Sequence, residues 1–259
     1  MRGGAQGHLV EAADGYCYVL KPRNNPQHRR VLINEWVAGV FLRYLRVAVP
    51  ETAVLDVTQE LLAGTPELSI QRGPLVMPVA TGWHFGSRFP GDPGRMAVFD
   101  FLPDKSLGSV RNLYDFSGAL LFDKWTSNAD SRQAIFYRPR FRSLEEPEEF
   151  SCRMIDHGFL FQAQEWQFRD ADAYGLYHRH RVYDRVTGWN DLEPWMEWIL
   201  HFPEEAADQA LREIPGVWME DDYDVLVRLL EVLMERRKRV PELIEKLRAS
   251  TANPFRNWH

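Results

Sequence analysis

A lysine and a glutamate 14 positions apart both lie in segments that the sequence predicts to be buried. Lys21 ends the apolar run 16–20, and Glu35 lies in a helical pattern within one turn of Val31 and Leu32. Because burial of a lone charge costs several kcal/mol, each needs a partner, and they are the obvious partners for each other. A lysine held by a helix-borne glutamate can bind phosphate groups. A surface lysine and a half-exposed glutamate would leave the same pattern.

A glycine-rich segment precedes that lysine. Gly3, Gly4 and Gly7 surround Ala5 and Gln6 just before the first predicted strand. Glycine has no Cβ, so backbone amides there can approach phosphate oxygens closely. A frayed chain terminus would have the same composition.

Polar side chains crowd into residues 123–133, between an apolar helix and an apolar strand. So many polar groups at one junction must face water or a ligand. Asp130 could accept a hydroxyl proton there, while Asn128, Arg132 and Gln133 hold phosphate or metal. A polar helix cap followed by a turn is the alternative explanation.

A further carboxylate follows the apolar strand 152–155. Asp156 comes directly after it, and Gly158 lies two residues beyond. Magnesium prefers hard oxygen ligands and keeps several of its waters, so an aspartate in this setting suits a magnesium ion that bridges phosphates. An aspartate in a simple turn would also fit.

The elements that must position these residues follow from periodicity and turn signals. A hairpin, with an Asp14-Gly15 turn, opens the chain. Later strands are predicted at 53–57, 73–79, 97–102, 134–137 and 152–155, and a mobile Gly/Pro-rich surface loop at 82–95. Helices are predicted at 32–45, 113–125, 191–200, 203–214 and 221–239. The order predicts an α+β fold with two lobes: a small antiparallel β-rich N-terminal lobe with one helix (1–102), and a larger, mainly helical C-terminal lobe (103–259).

Composition narrows the class of protein. With 45% hydrophobic and 26% charged residues, the chain is typical of one globular unit and not of a disordered protein. A net charge of -6 argues against a nucleic-acid-binding role, so we expect no such partner. No apolar run approaches the length of a membrane span and no signal peptide opens the chain, so we expect a cytoplasmic protein without a membrane anchor.

The glycine loop, the Lys21–Glu35 pair and the two acidic motifs, in this order, resemble the HipA-like kinases, relatives of the protein-kinase and phosphoinositide-kinase fold. The resemblance covers roughly residues 2–165. Gly4-Ala5-Gln6 is similar to the family's Gly-Ala-Gln loop over the phosphates, Asn128-Ala129-Asp130 to its Asn-x-Asp catalytic loop, and Ile155-Asp156 to its metal-binding segment.

That resemblance implies ATP and Mg²⁺ as cofactors and a protein serine or threonine as the acceptor. Lys21 and Glu35 would position the phosphates and Asp130 would act on the acceptor hydroxyl. The segment containing Phe99, Phe101 and Leu102 resembles, by position, the hinge whose backbone meets adenine.

The sequence departs from the family pattern at Ile135. Families with this loop commonly place a metal-binding asparagine five residues after the catalytic aspartate, and here that position is Ile135. Gln133 or Asn128 could substitute beside Asp156. If neither does, the protein is a nucleotide-binding module without turnover. A kinase acting on a small hydroxylated metabolite is a third possibility, which differs only in the acceptor surface.

Overall fold

The computed structural model describes residues 6–141 and 149–259. Its strands are β1 (His8–Glu11), β2 (Cys17–Lys21), β3 (Thr52–Val57), β4 (Ser69–Arg72), β5 (Leu75–Pro78), β6 (Gly82–Arg88), β7 (Met96–Phe99), β8 (Gln133–Pro139) and β9 (Ser151–Ile155). Its α-helices are α1 (Arg30–Tyr44), α2 (Gln59–Gly64), α3 (Asp104–Leu107), α4 (Asp115–Thr126), α5 (Trp195–Leu200), α6 (Glu204–Glu213), α7 (Gly216–Met219), α8 (Tyr223–Arg236) and α9 (Val240–Ala249). Short 3₁₀ turns connect several of them. Small antiparallel sheets combined with these helices confirm the predicted α+β class.

The N-terminal sheet has the strand order β1-β2-β6-β3, and its neighbours are all antiparallel. β6 therefore lies inside the sheet, and the prediction of a mobile surface loop over 82–95 is wrong for 82–88. Glycine caused the error. Gly86 does not form a turn but lets the Leu55 side chain pack closely on the strand. An added Cβ at Gly86 would lie 2.7 Å from Leu55 Cδ1. Phe85 and His84, beside it, are fully buried.

Two smaller sheets complete the β-structure. β4 and β5 form an isolated hairpin, of which the predicted strand 73–79 is one half. β7, β8 and β9 form a separate antiparallel sheet. β7 thus pairs with β8, although it comes directly after the N-terminal sheet in the chain. β8 and β9 carry Gln133 and Ile155 as register partners, which places the two polar segments of the sequence side by side.

Two helices are buried on every face. Each residue of α1 from Val31 to Leu42 is buried, as is each residue of α4 from Phe116 to Thr126. A helix that is buried all round lies inside a protein. Phe41 of α1 stacks on Trp125 of α4 at 5.6 Å between ring centroids, and both rings contact Phe202. α1 also packs against α6 and α7, so the glutamate-bearing helix is held by the C-terminal helices.

Within the two described ranges, no helix combines the length and the apolar content that a bilayer-spanning segment needs.

Gly175 offers a sharp test of how tightly the chain packs beneath the polar junction. Its φ is +70°, and an added Cβ would lie 2.1 Å from Asp123 Cβ. We expect Gly175→Ala to lower the free energy of unfolding by about 3 kcal/mol or more in urea titrations, from a left-handed backbone plus an overpacking clash. Gly15 is the matched control: its φ is +78° and nothing lies within 4 Å of the added Cβ, so Gly15→Ala should cost only about 1–2 kcal/mol. Equal losses for the two variants would contradict the clash.

Candidate active site

A cleft of about 370 Å³ lies between the N-terminal sheet and the sheet of β7, β8 and β9. Gly7, Val19, Lys21 and Phe85 are among its lining residues on the first side, while Gln133, Ile135, Ile155 and Asp156 line it from the second. Each side of the cleft therefore carries both apolar and charged groups, and the space between them is large enough for a small ligand.

Lys21 is the central cation of this cleft. Its Nζ donates to Glu35 Oε1 and, at 2.9 Å, to Asp156 Oδ1, and the residue is 9% exposed. Burial by itself would lower the pKa of Lys21, but the carboxylates of Glu35 and Asp156 outweigh it and raise that pKa above its usual value. The lysine is therefore a fixed positive charge at neutral pH. The predicted contact between Lys21 and Glu35 is therefore present in the structure.

Glu35 serves two partners from the middle of α1. Its Oε1 accepts from Lys21 and, at 2.9 Å, from the backbone N–H of His157. Burial raises the pKa of Glu35, and the Lys21 charge opposes that shift. The glutamate consequently joins the strand that carries the lysine to the segment that carries Asp156.

Asp156 lies just beyond the end of β9 with a positive φ of 58°. Although burial works against the charged form, Lys21 and Arg132 hold the pKa of Asp156 below its usual value. His157, next to it, is buried, and burial together with the Arg132 charge holds its pKa well below the usual range. The neutral ring lies 2.9 Å from Arg132 Nη1 through Nδ1 and 3.3 Å from Met154 O through Nε2. An ionised carboxylate thus faces the cleft beside an uncharged imidazole.

A second ion pair lies beneath the junction and was missed by the sequence analysis. Arg132 Nε donates to Asp123 Oδ2 at 2.8 Å and Nη2 to Oδ1 at 2.5 Å, in a bidentate pair that is almost fully buried. Arg132 Nη1 also donates to Ile155 O at 3.1 Å. The prediction that Arg132 holds phosphate or metal is wrong, because its guanidinium is used inside the protein. A charged residue within the apolar α4, Asp123, was the signal that could have revealed the pair.

Asn128, Asp130 and Gln133 occupy different environments. Asn128 is fully buried; its Nδ2 donates to Asp123 Oδ1 at 2.9 Å and its Oδ1 accepts from the Asp130 N–H at 3.3 Å. Asp130 is partly exposed, and its Oδ1 accepts from Ser131 N at 2.8 Å. Gln133 lines the cleft and donates from Nε2 to Asp130 Oδ2 at 3.3 Å. Gln133 therefore connects Asp130 to the cleft, whereas Asn128 shapes the loop from inside.

The predicted phosphate loop is only partly described. Gly3, Gly4 and Ala5 lie outside the described residues. Gln6 lines the cleft, and its side-chain amide bonds both backbone groups of Gln71: Nε2 donates to the carbonyl at 2.7 Å and Oε1 accepts from the N–H at 2.6 Å. The hairpin of β4 and β5 thus holds the end of this loop.

The predicted hinge meets the cleft through its neighbours. Val98 and Asp100 line the cleft. Phe99 packs against Phe150 at 5.9 Å between ring centroids, Leu102 is buried in the core, and Phe101 is 54% exposed under the Arg179 guanidinium. Any contact of Phe99 or Leu102 with a base would therefore involve the backbone.

A family model described as HipA-like kinase matches residues 1–246 of the 259-residue chain. The chain belongs to the HipA-like kinase family. The match confirms the resemblance and reaches well beyond residue 165. A search of curated proteins found no match.

Membership of the HipA-like kinases agrees with the bilobal, kinase-like arrangement of sheets and helices. It indicates a kinase-type phosphotransferase and implies ATP and a divalent metal as ligands. In the described ranges, no group of three or more His, Cys, Asp and Glu side chains is arranged to hold a metal ion. A divalent ion bound with a nucleotide needs fewer protein ligands, because one or two carboxylates plus the phosphates of the substrate can hold it.

The buried Arg132–Asp123 pair can be tested against an exposed pair of the same type. We expect Arg132→Met to lower the free energy of unfolding by about 3–5 kcal/mol, because Asp123 is left buried without its counter-charge. Arg111, which pairs with Glu149 and has a side chain 70% exposed, is the control, and Arg111→Met should cost about 0–1 kcal/mol. Urea denaturation measures both. Similar small losses in the two variants would mean that the buried pair contributes little.

Proposed function

We propose that the protein is an ATP- and Mg²⁺-dependent kinase that transfers the γ-phosphoryl group to a serine or threonine hydroxyl of a protein. One observation carries the proposal: Lys21 contacts both Glu35 and Asp156 at the edge of a cleft of suitable size. A cation held between a helix carboxylate and a carboxylate that follows a strand is the arrangement that kinases use to bind phosphates. The protein acceptor rests on the family resemblance.

In this proposal Lys21 binds phosphate oxygens as a fixed positive charge. The contact with Glu35 orients the ammonium group, and the contact with Asp156 keeps it beside the carboxylate that faces the cleft. Most of the rate enhancement then comes from positioning and electrostatics, because phosphoryl transfer asks for little covalent chemistry from the protein. The glycine segment that ends at Gln6 would cover the phosphates.

We propose Asp156 and Gln133 as the residues that hold Mg²⁺. Asp156 is ionised and faces the cleft, and Gln133 lines the same cleft with an amide oxygen. Asn128 is the weaker candidate, because both ends of its amide are used by Asp123 and Asp130. When bound, the ion would neutralise charge that develops on the transferred group.

Asp130 is proposed to orient the acceptor hydroxyl and to take its proton. Its Oδ2 is contacted by Gln133 only weakly, at 3.3 Å, and the side chain is partly exposed next to the cleft. A partly exposed carboxylate can accept a hydrogen bond from an incoming hydroxyl without a large desolvation cost.

A second function, a nucleotide-binding module without turnover, is favoured by one residue. Ile135 lines the cleft at the position where related loops carry a metal-binding asparagine, and its side chain has no oxygen. Binding would then regulate a partner through movement of the two sheets that enclose the cleft. A metabolite kinase differs from the first proposal only in the acceptor.

The purified protein incubated with Mg-ATP tests the first proposal against the second. We expect the protein to consume ATP, or to gain phosphate as detected by intact mass. Asp130→Asn and Asp156→Asn should each lower this activity by a factor of about 100 or more. Asp208→Asn, on an exposed position of α6, is the matched control and should be unchanged. Saturable ATP binding with neither product would favour the module without turnover.

Lys21→Met tests whether the central cation serves the ligand or only the fold. The substitution removes charge-assisted hydrogen bonds to phosphate that contribute about 1.5–3 kcal/mol, so ATP affinity should fall about 10- to 100-fold. Calorimetric titration measures the affinity, and circular dichroism checks the fold. Lys105→Met, at an exposed position of α3, is the control. Unchanged ATP affinity in a folded Lys21→Met variant would rule out the proposed role.

A further inference from the structure

The residue before Glu35 contacts the segment that follows Asp156. Asn34 is fully buried, and its Nδ2 lies within hydrogen-bonding distance of three backbone carbonyls: Gly158 at 2.7 Å, and Leu160 and Ala163 at 3.0 Å each. Its Oδ1 accepts from Trp166 Nε1 at 2.9 Å. One side chain of α1 thus satisfies the polar groups of a turn that begins two residues after the carboxylate of the cleft.

That turn has an unusual backbone. Phe161, Gln162 and Ala163 are consecutive and have φ values of 56°, 61° and 58°. Each such conformation costs a non-glycine residue about 1–3 kcal/mol and persists only where the surroundings enforce it. Hydrogen bonds from Asn34 to carbonyls on both sides of Phe161 are one such constraint. A second comes from Gln162 Nε2, which donates to Ser127 O at 3.1 Å.

The turn and α1 are also in direct steric contact. An added Cβ at Gly158 would lie 2.5 Å from Val31 Cγ1 and 3.7 Å from Glu35 Oε1. Glu35 accepts the N–H of His157, immediately before that glycine. Asn34 and Glu35 are adjacent in sequence, so together they hold the backbone from His157 to Ala163 against one turn of the helix.

The start of α1 is fastened to the same region. Arg30 Nη1 donates to Gln164 O at 2.7 Å, and the Arg30 guanidinium lies 4.3 Å from the Trp166 ring centroid. Arg30 Nε also donates to Asp222 Oδ2 at 2.9 Å, just before α8. Arg30 therefore ties the start of α1 both to the segment after the turn and to the residue before α8. Movement of α1 away from the turn would break these contacts.

We infer that Asn34 is a positioning residue: by holding the turn 158–163 against α1, it sets the orientation of Asp156 relative to Lys21 and Glu35. The expected consequence is that loss of Asn34 weakens metal binding much more than nucleotide binding, and this consequence rests on the proposed function. Residues that orient a metal ligand typically contribute 10- to 100-fold to metal affinity.

The test uses Asn34→Leu, which has a similar volume but no side-chain hydrogen bonds, and Trp166→Phe, which removes the bond to Asn34 Oδ1 and keeps an aromatic ring near Arg30. Binding of Mn²⁺ to the protein–ATP complex is measured by electron paramagnetic resonance, because Mn²⁺ suits the same oxygen ligands as Mg²⁺. Affinity for ATP is measured without metal. Amide hydrogen exchange of His157 and of α8 is followed without ligand.

We expect Asn34→Leu to weaken Mn²⁺ binding about 10-fold or more while ATP affinity without metal changes less than about 3-fold. Exchange at His157 should become at least about 10-fold faster, with α8 unchanged. If Asn34→Leu fails to fold, Trp166→Phe should shift the Mn²⁺ affinity and the exchange rate at His157 in the same directions by smaller factors. Unchanged Mn²⁺ affinity and unchanged His157 exchange in a folded variant would overturn the inference. Should the wild-type protein bind no Mn²⁺–ATP, the proposed function fails, and His157 exchange alone decides whether Asn34 positions the turn.

Discussion

The buried ammonium group of Lys21 is the constraint on which the site depends. A lone charge at this depth would be costly, and contacts to Glu35 and Asp156 compensate for it. Those three residues come from β2, from α1 and from the end of β9, so the charge is stable only when both sheets and the central helix are assembled. Conversely, the two carboxylates would repel each other without the lysine between them. Fold and site therefore share one electrostatic requirement.

The same network extends beneath the cleft through a second pair. Arg132 holds Asp123 and also contacts the ring of neutral His157, whose backbone N–H reaches Glu35. Lys21 lies between Glu35 and Asp156, and Arg132 is paired with Asp123, so each of these two buried cations has a carboxylate partner. Asp156 is the member of this network that faces the cleft with a lowered pKa, and an ionised carboxylate there is in keeping with the divalent metal that family membership implies.

Sequence reasoning succeeded where burial of a charge demanded a partner, as for Lys21 and Glu35. It failed where local composition was misleading. Glycines at 82 and 86 suggested a loop, yet β6 is central because a glycine there lets Leu55 pack closely, and close packing leaves no local signal. Arg132 appeared to face a ligand because the surrounding residues are polar. Its partner Asp123 lies on a separate element, α4, and a charge within that apolar helix was the signal that should have indicated a buried partner.

The anchoring of α1 limits how this cleft can change shape. α1 is buried on all sides and tied to the segment after Asp156 by Asn34 and Glu35, so those parts are held together. Different elements form the other side of the cleft. Lys21 is attached there through β2, and Gln6 is held by the β4–β5 hairpin through two backbone-directed hydrogen bonds. That hairpin is a separate two-stranded sheet whose Ile70 packs in one apolar cluster with Leu20 and Val57, so its displacement would move Gln6 without breaking the contacts of Asn34 and Glu35. A change in the shape of the cleft should therefore involve the N-terminal sheet and the hairpin and not rotation of α1.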